Sequence, residues 1–247
     1  RLPDIVVDHL PQLSLTADPW VFVLPEEQGL WSKLRSDVHS TLGAVAVQIF
    51  QGLKTGADSI FSVKVIQAGS DHSLVQSGDN TYEIENALLF PQIKGGEMKR
   101  YFIGPTDRAV IFPYLSGKLI DANLLKTSYP KSWQYFKSHQ KYLEAREQAK
   151  MKGPNWYAYT RSQALSSMQQ SKIVTPDYYA HASFGFDSDG QYFFFGGGAG
   201  GYGIVLAPEW NPLYVLGLLN SRLLDWFLRK ISVRQYQTAF ANFRNVV

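Results

Sequence analysis

The residues most able to do chemistry sit in Lys54-Thr55-Gly56-Ala57-Asp58, the polar centre of the stretch from Val47 to Val65. This centre offers a cation, a hydroxyl and a run of backbone N–H groups beside a small residue. That combination can grip a phosphate or the edge of a base. Groups of the same kind recur along the chain. With a nucleic acid as partner, Lys54, Lys64, Lys94, Lys99 and Lys172 suit phosphates, because a flexible ammonium acts as a point charge. Arg100 and Arg161 carry the planar fork that pairs bidentately with guanine in the major groove. Thr55 can donate or accept at a base edge or phosphate. Tyr101, Tyr157 and Tyr202 can stack on a base or bond a phosphate oxygen, and Gly56 lets backbone come close.

Other motifs invite a different chemistry. Gly198-Ala199-Gly200-Gly201-Tyr202-Gly203 has the spacing of a dinucleotide fingerprint, but Ile204-Val205-Leu206-Ala207-Pro208 after it reads as strand, where the fingerprint needs a helix N-terminus. A loop able to touch DNA fits better. Glu97-Met98-Lys99, with Asp79 or Asp71 upstream, has the make-up of a small magnesium nuclease, in which two carboxylates hold the metal and the lysine assists water. Asn211-Pro212-Leu213-Tyr214 departs from the Asn-Pro-Pro-Tyr element of adenine methyltransferases and is explained as a helix N-cap followed by proline. His9, His39, His72, His139 and His181 show no metal-ligand spacing.

These groups need elements to position them. Val47 and Ile49 alternate with Gln48, and Phe61, Val63 and Val65 alternate with Ser62 and Lys64, so two half-buried strands flank the polar centre. Gly52 and Gly56 mark a turn or a close backbone approach. A short strand is predicted at Trp20–Leu24, then a helix from Pro25 with Leu30, Trp31 and Leu34 on its apolar stripe. The polar run 67–80 reads as a connection. Tyr101–Ile103 and Ala109–Tyr114 read as strands. A long helix from about Ser128 to Lys150 carries Trp133, Phe136 and Leu143 on one face. After it, strands are predicted at Ile173–Thr175 and, paired across a turn at Asp187–Gly190, at Tyr178–Phe186 and Gln191–Phe195. An apolar helix starts at Asn211 and runs to Lys230. The pattern predicts an α+β fold with mixed, mostly antiparallel sheets in two halves, 1–127 and 128–247, joined by the long helix.

With 45% hydrophobic and 18% charged residues, the chain is globular rather than disordered. A net charge of +3 permits nucleic-acid binding only with the cations gathered on one face. The absence of Cys excludes a disulfide scaffold and Cys-ligated zinc. No apolar run reaches transmembrane length. The expectation is a cytoplasmic piece of a longer protein, since Arg1 stands where Met would begin one.

Gly52-Leu53-Lys54-Thr55-Gly56-Ala57-Asp58, with Phe61 following, resembles the opening motif of the TaqI-like C-terminal specificity domain. That domain is the target-recognition half of many adenine-specific DNA methyltransferases and of fused restriction–modification enzymes. Lys94-Gly95-Gly96-Glu97-Met98-Lys99-Arg100-Tyr101 resembles its Lys-Gly, acidic, Arg-Tyr run. Ile111-Phe112-Pro113-Tyr114 resembles the strand after it, Trp156-Tyr157 with Arg161 and Lys172-Ile173 its central segment, and Leu218-Leu219-Asn220-Ser221 its late helix. The likeness covers nearly the whole chain in the family's order, although Asp58 stands where Asn is common and the glycine loop is unusually long. It implies a double-stranded-DNA binding module without turnover, with no cofactor of its own. The methyltransferase domain of the same polypeptide would hold S-adenosylmethionine and flip the adenine. Two readings of other kinds stay open: the magnesium nuclease, and a protein–protein module using an aromatic surface.

Overall fold

A computed structural model describes residues 21, 23–36, 40–197, 200–232 and 240–241. The chain divides into two compact units, Arg1–His39 and Ser40–Val247. In the first, Pro25–Glu27 forms a 3-10 turn that runs into α1 (Gln28–Ser36). Proline suits this start because the first helical N–H has no partner to lose. Of the expected strand, Trp20 and Phe22 lie outside the described residues, and Val21, Val23 and Leu24 are not in a strand.

The second unit opens with α2 (Leu42–Val45), capped by Thr41, and β1 (Ala46–Gln51). The loop over Gly52–Ala57 leads to a single helical turn, α3 (Asp58–Phe61), and to β2 (Ser62–Gln67). β3 (His72–Ser77) and β4 (Asn80–Glu85) form a hairpin around Gly78. The polar run 67–80 therefore contains a strand. Ser73, Val75 and Ser77 are its buried residues, and the two serines stay satisfied by bonding Asn86 and Tyr135. β5 (Leu89–Pro91) is followed by a small hairpin of β6 (Met98–Lys99) and β7 (Phe102–Ile103), and then by β8 (Arg108–Ile111). The larger sheet has the order β4-β3-β2-β8-β5 and is antiparallel throughout. A second small hairpin pairs β9 (Tyr114–Leu115) with β10 (Lys118–Leu119).

The long helix expected from Ser128 to Lys150 is two helices, α5 (Pro130–Ser138) and α6 (Gln140–Ala149), and Ser128 ends a preceding one, α4 (Ala122–Ser128), instead of starting them. Pro130 forces Tyr129 out of helical geometry (φ −133°, ψ 57°), which ends α4. His139 breaks the next junction. Inside α6 the chain leaves the helix at Arg146 and takes left-handed angles at Glu147, Gln148 and Ala149. The N-terminus of α5 is held by a group with no local sequence signal. Glu85 on β4 accepts from the backbone N–H of Lys131 and of Ser132, each at 2.8 Å.

After α6 come β11 (Lys172–Pro176), β12 (Tyr178–Tyr179), β13 (Gly185–Asp187) and β14 (Gly201–Leu206). They are followed by α7 (Pro212–Leu219), α8 (Arg222–Ile231) and β15 (Phe240–Ala241), which pairs with β12. Asn211 caps α7 as expected, accepting from Leu213 and Tyr214 N–H. The single helix expected to reach Lys230 instead stops at Leu219, and Ser221 caps a new one. The predicted pairing of 178–186 with 191–195 is not formed. β13 pairs with β11, while Phe193 and Phe195 make isolated parallel bridges to Gln92 and Leu53.

The second sheet has the order β1-β14-β11-β13, also antiparallel. β1 comes from the first half of the sequence and its neighbours from the second, so this sheet draws on both sides of 127/128. One core of Phe50, Leu53, Phe61, Phe112, Phe136, Tyr157, Tyr159, Phe193 and Phe194 joins residues from both. A smaller cluster, including Ile173, Phe184, Ile204 and Leu216, packs α7 against the second sheet. The fold is α+β with antiparallel sheets. No helix among the described residues is long and apolar enough to cross a membrane.

Candidate nucleic-acid interface

The loop after β1 is shaped by two glycines. A Cβ on Gly52 would lie 2.4 Å from the carbonyl carbon of Phe195, so only glycine lets these two backbones touch. Gly56 sits at φ +69°, and a Cβ there would also strike the Thr160 side chain. Backbone bonds stitch the loop on both sides. Leu53 N–H donates to Phe194 O at 3.0 Å and Gly196 N–H to Leu53 O at 2.9 Å. On the other side, Thr160 N–H donates to Thr55 O and Arg161 N–H to Lys54 O, both at 3.3 Å.

A buried cation braces the loop from behind. Arg146 donates through Nε to Leu143 O, through Nη1 to Thr55 O, and through Nη2 to Trp156 O and Ala158 O, at 2.5 to 2.8 Å. The guanidinium also stands over the Phe61 ring, 5.7 Å from its centroid. Burial pushes its pKa down, opposed by Tyr114, Tyr142 and Glu147 nearby. Four carbonyl oxygens and a ring face thus take the place of a carboxylate partner. Directly after Arg146 the chain takes the left-handed turn at 147–149.

In front of the loop lies an open groove of about 580 Å³. Lys54, Gly56, Ser59, Tyr142, Arg161 and Gln163 line it, with the carboxylates of Asp58 and Glu147. Asp58 is engaged by the Thr55 hydroxyl, which in turn accepts the Ala57 N–H at 2.9 Å. Glu147 pairs with Arg161 at 3.4 Å. Gln163 donates to Gly52 O, tying the groove wall to the loop. Lys54 runs along Gly196 and Gly197 towards Asp177. The Tyr202 hydroxyl bonds the Asp177 carboxyl, and burial raises that carboxyl's pKa against the pull of Tyr202 and Lys54. The groove is therefore mixed in charge, with each acid held by a named partner.

Lys54, Gly56 and Arg161 meet at this groove, whereas Tyr202 is not among its lining residues and bonds Asp177. Of the other expected contacts only Thr55 borders this groove, and Thr55, Tyr157 and Lys172 are buried. Lys172 is fully buried in an ion pair with Asp187 at 2.5 Å and also donates to Met168 O, so it cannot serve a phosphate. Tyr157 is core, its hydroxyl donating to Ile120 O. The Thr55 side chain is also fully buried and organises the turn instead of meeting a ligand. Lys64 lies on the larger sheet, paired with Asp107 at 3.3 Å. Lys94 and Lys99 are exposed around the β6–β7 hairpin. Arg100 at its tip donates to Asn220 O, so a residue of the Arg-Tyr run is tied to the Leu-Leu-Asn-Ser segment.

For the nuclease reading, Glu97 already accepts the Lys94 N–H at 2.7 Å and pairs with Arg108 at 3.1 Å. Among the described residues no group of three His, Asp or Glu is placed to hold a metal ion. Of the glycine motif, Gly198 and Ala199 lie outside the described residues and Gly201–Gly203 already belong to β14 rather than to a loop before a helix; a Cβ on Gly201 would lie 2.3 Å from Thr175 O. No family model matches the sequence, and no curated protein matches it.

Arg146, Glu147 and Gln163 are the site residues that sequence reasoning missed, and none carries a local signal, while Asn220 was singled out only as part of the Leu218–Ser221 likeness.

Proposed function

We propose that this chain is the specificity module of a DNA adenine-N6 methyltransferase, gripping double-stranded DNA at the groove in front of the Gly52–Asp58 loop. In this reading it works in the cytoplasm beside a methyltransferase domain that holds S-adenosylmethionine. One observation carries it: Lys54, Gly56, Arg161 and Gln163, from segments far apart in sequence, line one open groove on a rigidly braced loop. Lys54 suits a phosphate, Arg161 and Gln163 suit base edges, and Gly56 gives backbone access.

The intact chain should bind duplex DNA with an affinity that falls steeply as salt rises. Lys54→Ala should weaken binding alike on all sequences and lower the slope of log affinity against log salt by about one. Binding that ignores salt would overturn the proposal. Glu147 supplies a sharper test, because its carboxylate occupies the fork a base or phosphate would use. Glu147→Gln should tighten duplex binding about threefold, the scale of an exposed ion pair. In an Arg161→Ala background the same change should do little. An equal gain in both backgrounds would mean that Glu147 acts only through overall charge.

A second reading, a protein-binding module, rests on a different face. Leu213, Tyr214 and Leu218 of α7 are exposed. A partner held there would stay bound in high salt.

A further inference from the structure

The β6–β7 hairpin carries two aromatic side chains that the fold does not use. Lys99 pairs with Phe102, which leaves Arg100 and Tyr101 as a two-residue turn. Tyr101 is 54% exposed and Phe102 59%. Tyr101 also has φ +65°, a left-handed conformation that glycine or asparagine adopts far more readily. Aromatic exposure and backbone strain at one turn are both unfavourable to folding, and such combinations gather at binding sites.

The tip is held in place. Tyr101 N–H donates to Phe184 O at 2.8 Å, and Arg100 donates to Asn220 O. Asn220 is fixed in turn, accepting from Phe184 N–H and donating to Phe184 O at 2.8 Å. At the hairpin base, Met98 is buried against Gly201, and a Cβ on Gly185 would lie 2.9 Å from Ile103 Cγ1. The Arg100 guanidinium backs the Tyr101 ring at 5.8 Å. Lys94 and Lys99 flank the tip and are exposed.

We infer that Tyr101 and Phe102 form a wedge that stacks on nucleobases where a duplex is opened. The inference rests on the DNA reading above and adds a second contact separate from the groove. Rigid aromatic faces flanked by cations fit a polyanion with exposed rings better than they fit an apolar protein surface. An unstacked base leaves a gap, and a flat side chain that fills it recovers stacking.

The test compares binding of the intact chain to a plain duplex and to the same duplex with one abasic site. The wild type should prefer the abasic duplex about tenfold, the scale of one stacked base. Tyr101→Ala/Phe102→Ala should erase the preference and leave the salt slope nearly unchanged, because no cation is lost. Tyr101→Asn, which relieves the left-handed strain, should fold at least as stably and still lose most of the preference, so a folding defect cannot imitate the result. Equal binding of both duplexes by the wild type, or a preference that survives the double variant, overturns the wedge alone. Absence of binding to either duplex overturns the DNA reading and the wedge with it.

Discussion

Replacing Arg146 with methionine is expected to destabilise the second unit by about 4 kcal/mol and to remove duplex binding with it. The side chain ties together the end of α6, the Thr55 backbone and the Trp156–Ala158 segment. Methionine fills much of the volume but leaves buried carbonyl oxygens without donors, each a cost of about 1–3 kcal/mol that sums incompletely. Lysine should recover little, because one ammonium cannot span the carbonyls that the planar fork reaches. Urea denaturation measures the stability term. Arg161→Ala is the matched control: it removes a cation from the same groove, but an exposed one, and should change stability by less than about 0.5 kcal/mol. If Arg146→Met proves as mild as Arg161→Ala, the brace is not what holds the loop.

The difference between these two arginines also marks what the sequence could reveal. Gly52 and Gly56 were readable because glycine has a backbone reason to be where it is, and the close approach and the positive φ supply it. The strand at 62–65 was readable because period-two alternation is local, and the Asn211 cap because its donors lie within three residues, whereas Phe61 belongs to the helical turn before the strand. Cations were not. Arg146 and Arg161 look equivalent in sequence, and so do Lys54 and Lys172. What separates them is whether carbonyls and carboxylates from distant segments close around the head group, as Asp187 does for Lys172. Polar stretches misled in the same way. The run 67–80 resembles a loop because two of its buried positions are serines, and their hydroxyls are satisfied by Asn86 and Tyr135 from elsewhere. The helix from Ser128 kept its apolar face but not its continuity, because the chain breaks at His139 and leaves helical angles again at Arg146. The groove itself was half legible. Its loop stands out in the sequence, while its far wall at Thr160–Gln163 is brought there by folding.

Asp187→Asn should cost about 3 kcal/mol, because it leaves the Lys172 ammonium buried without its counter-charge. Lys172 is 0% exposed and Asp187 1%. Lys172→Met should cost less, about 2 kcal/mol, since Asp187 would still accept the N–H groups of Gln191 and Tyr192 at 3.1 and 3.0 Å. The double variant should cost less than the two singles together, by about 1–3 kcal/mol, as expected for groups whose main partner is each other. The pH dependence has a definite sign. Burial lowers the folded-state pKa of Lys172 below the ordinary 10.5, and Asp187 opposes that shift. Without the carboxylate the folded pKa falls further, so the unfolded chain holds a proton that the folded chain gives up. Stability of Asp187→Asn should therefore rise with pH until the ordinary lysine value is reached, more steeply than in the wild type. The same variant reports on the groove. The Asp187 turn leads into Tyr192–Phe195, whose bridges to Gln92 and Leu53 seat the loop that carries Lys54. Loosening it should weaken duplex binding although neither Lys172 nor Asp187 touches the groove. Simple additivity of the two single costs, with binding unchanged, would show that the pair is an isolated feature of the second sheet.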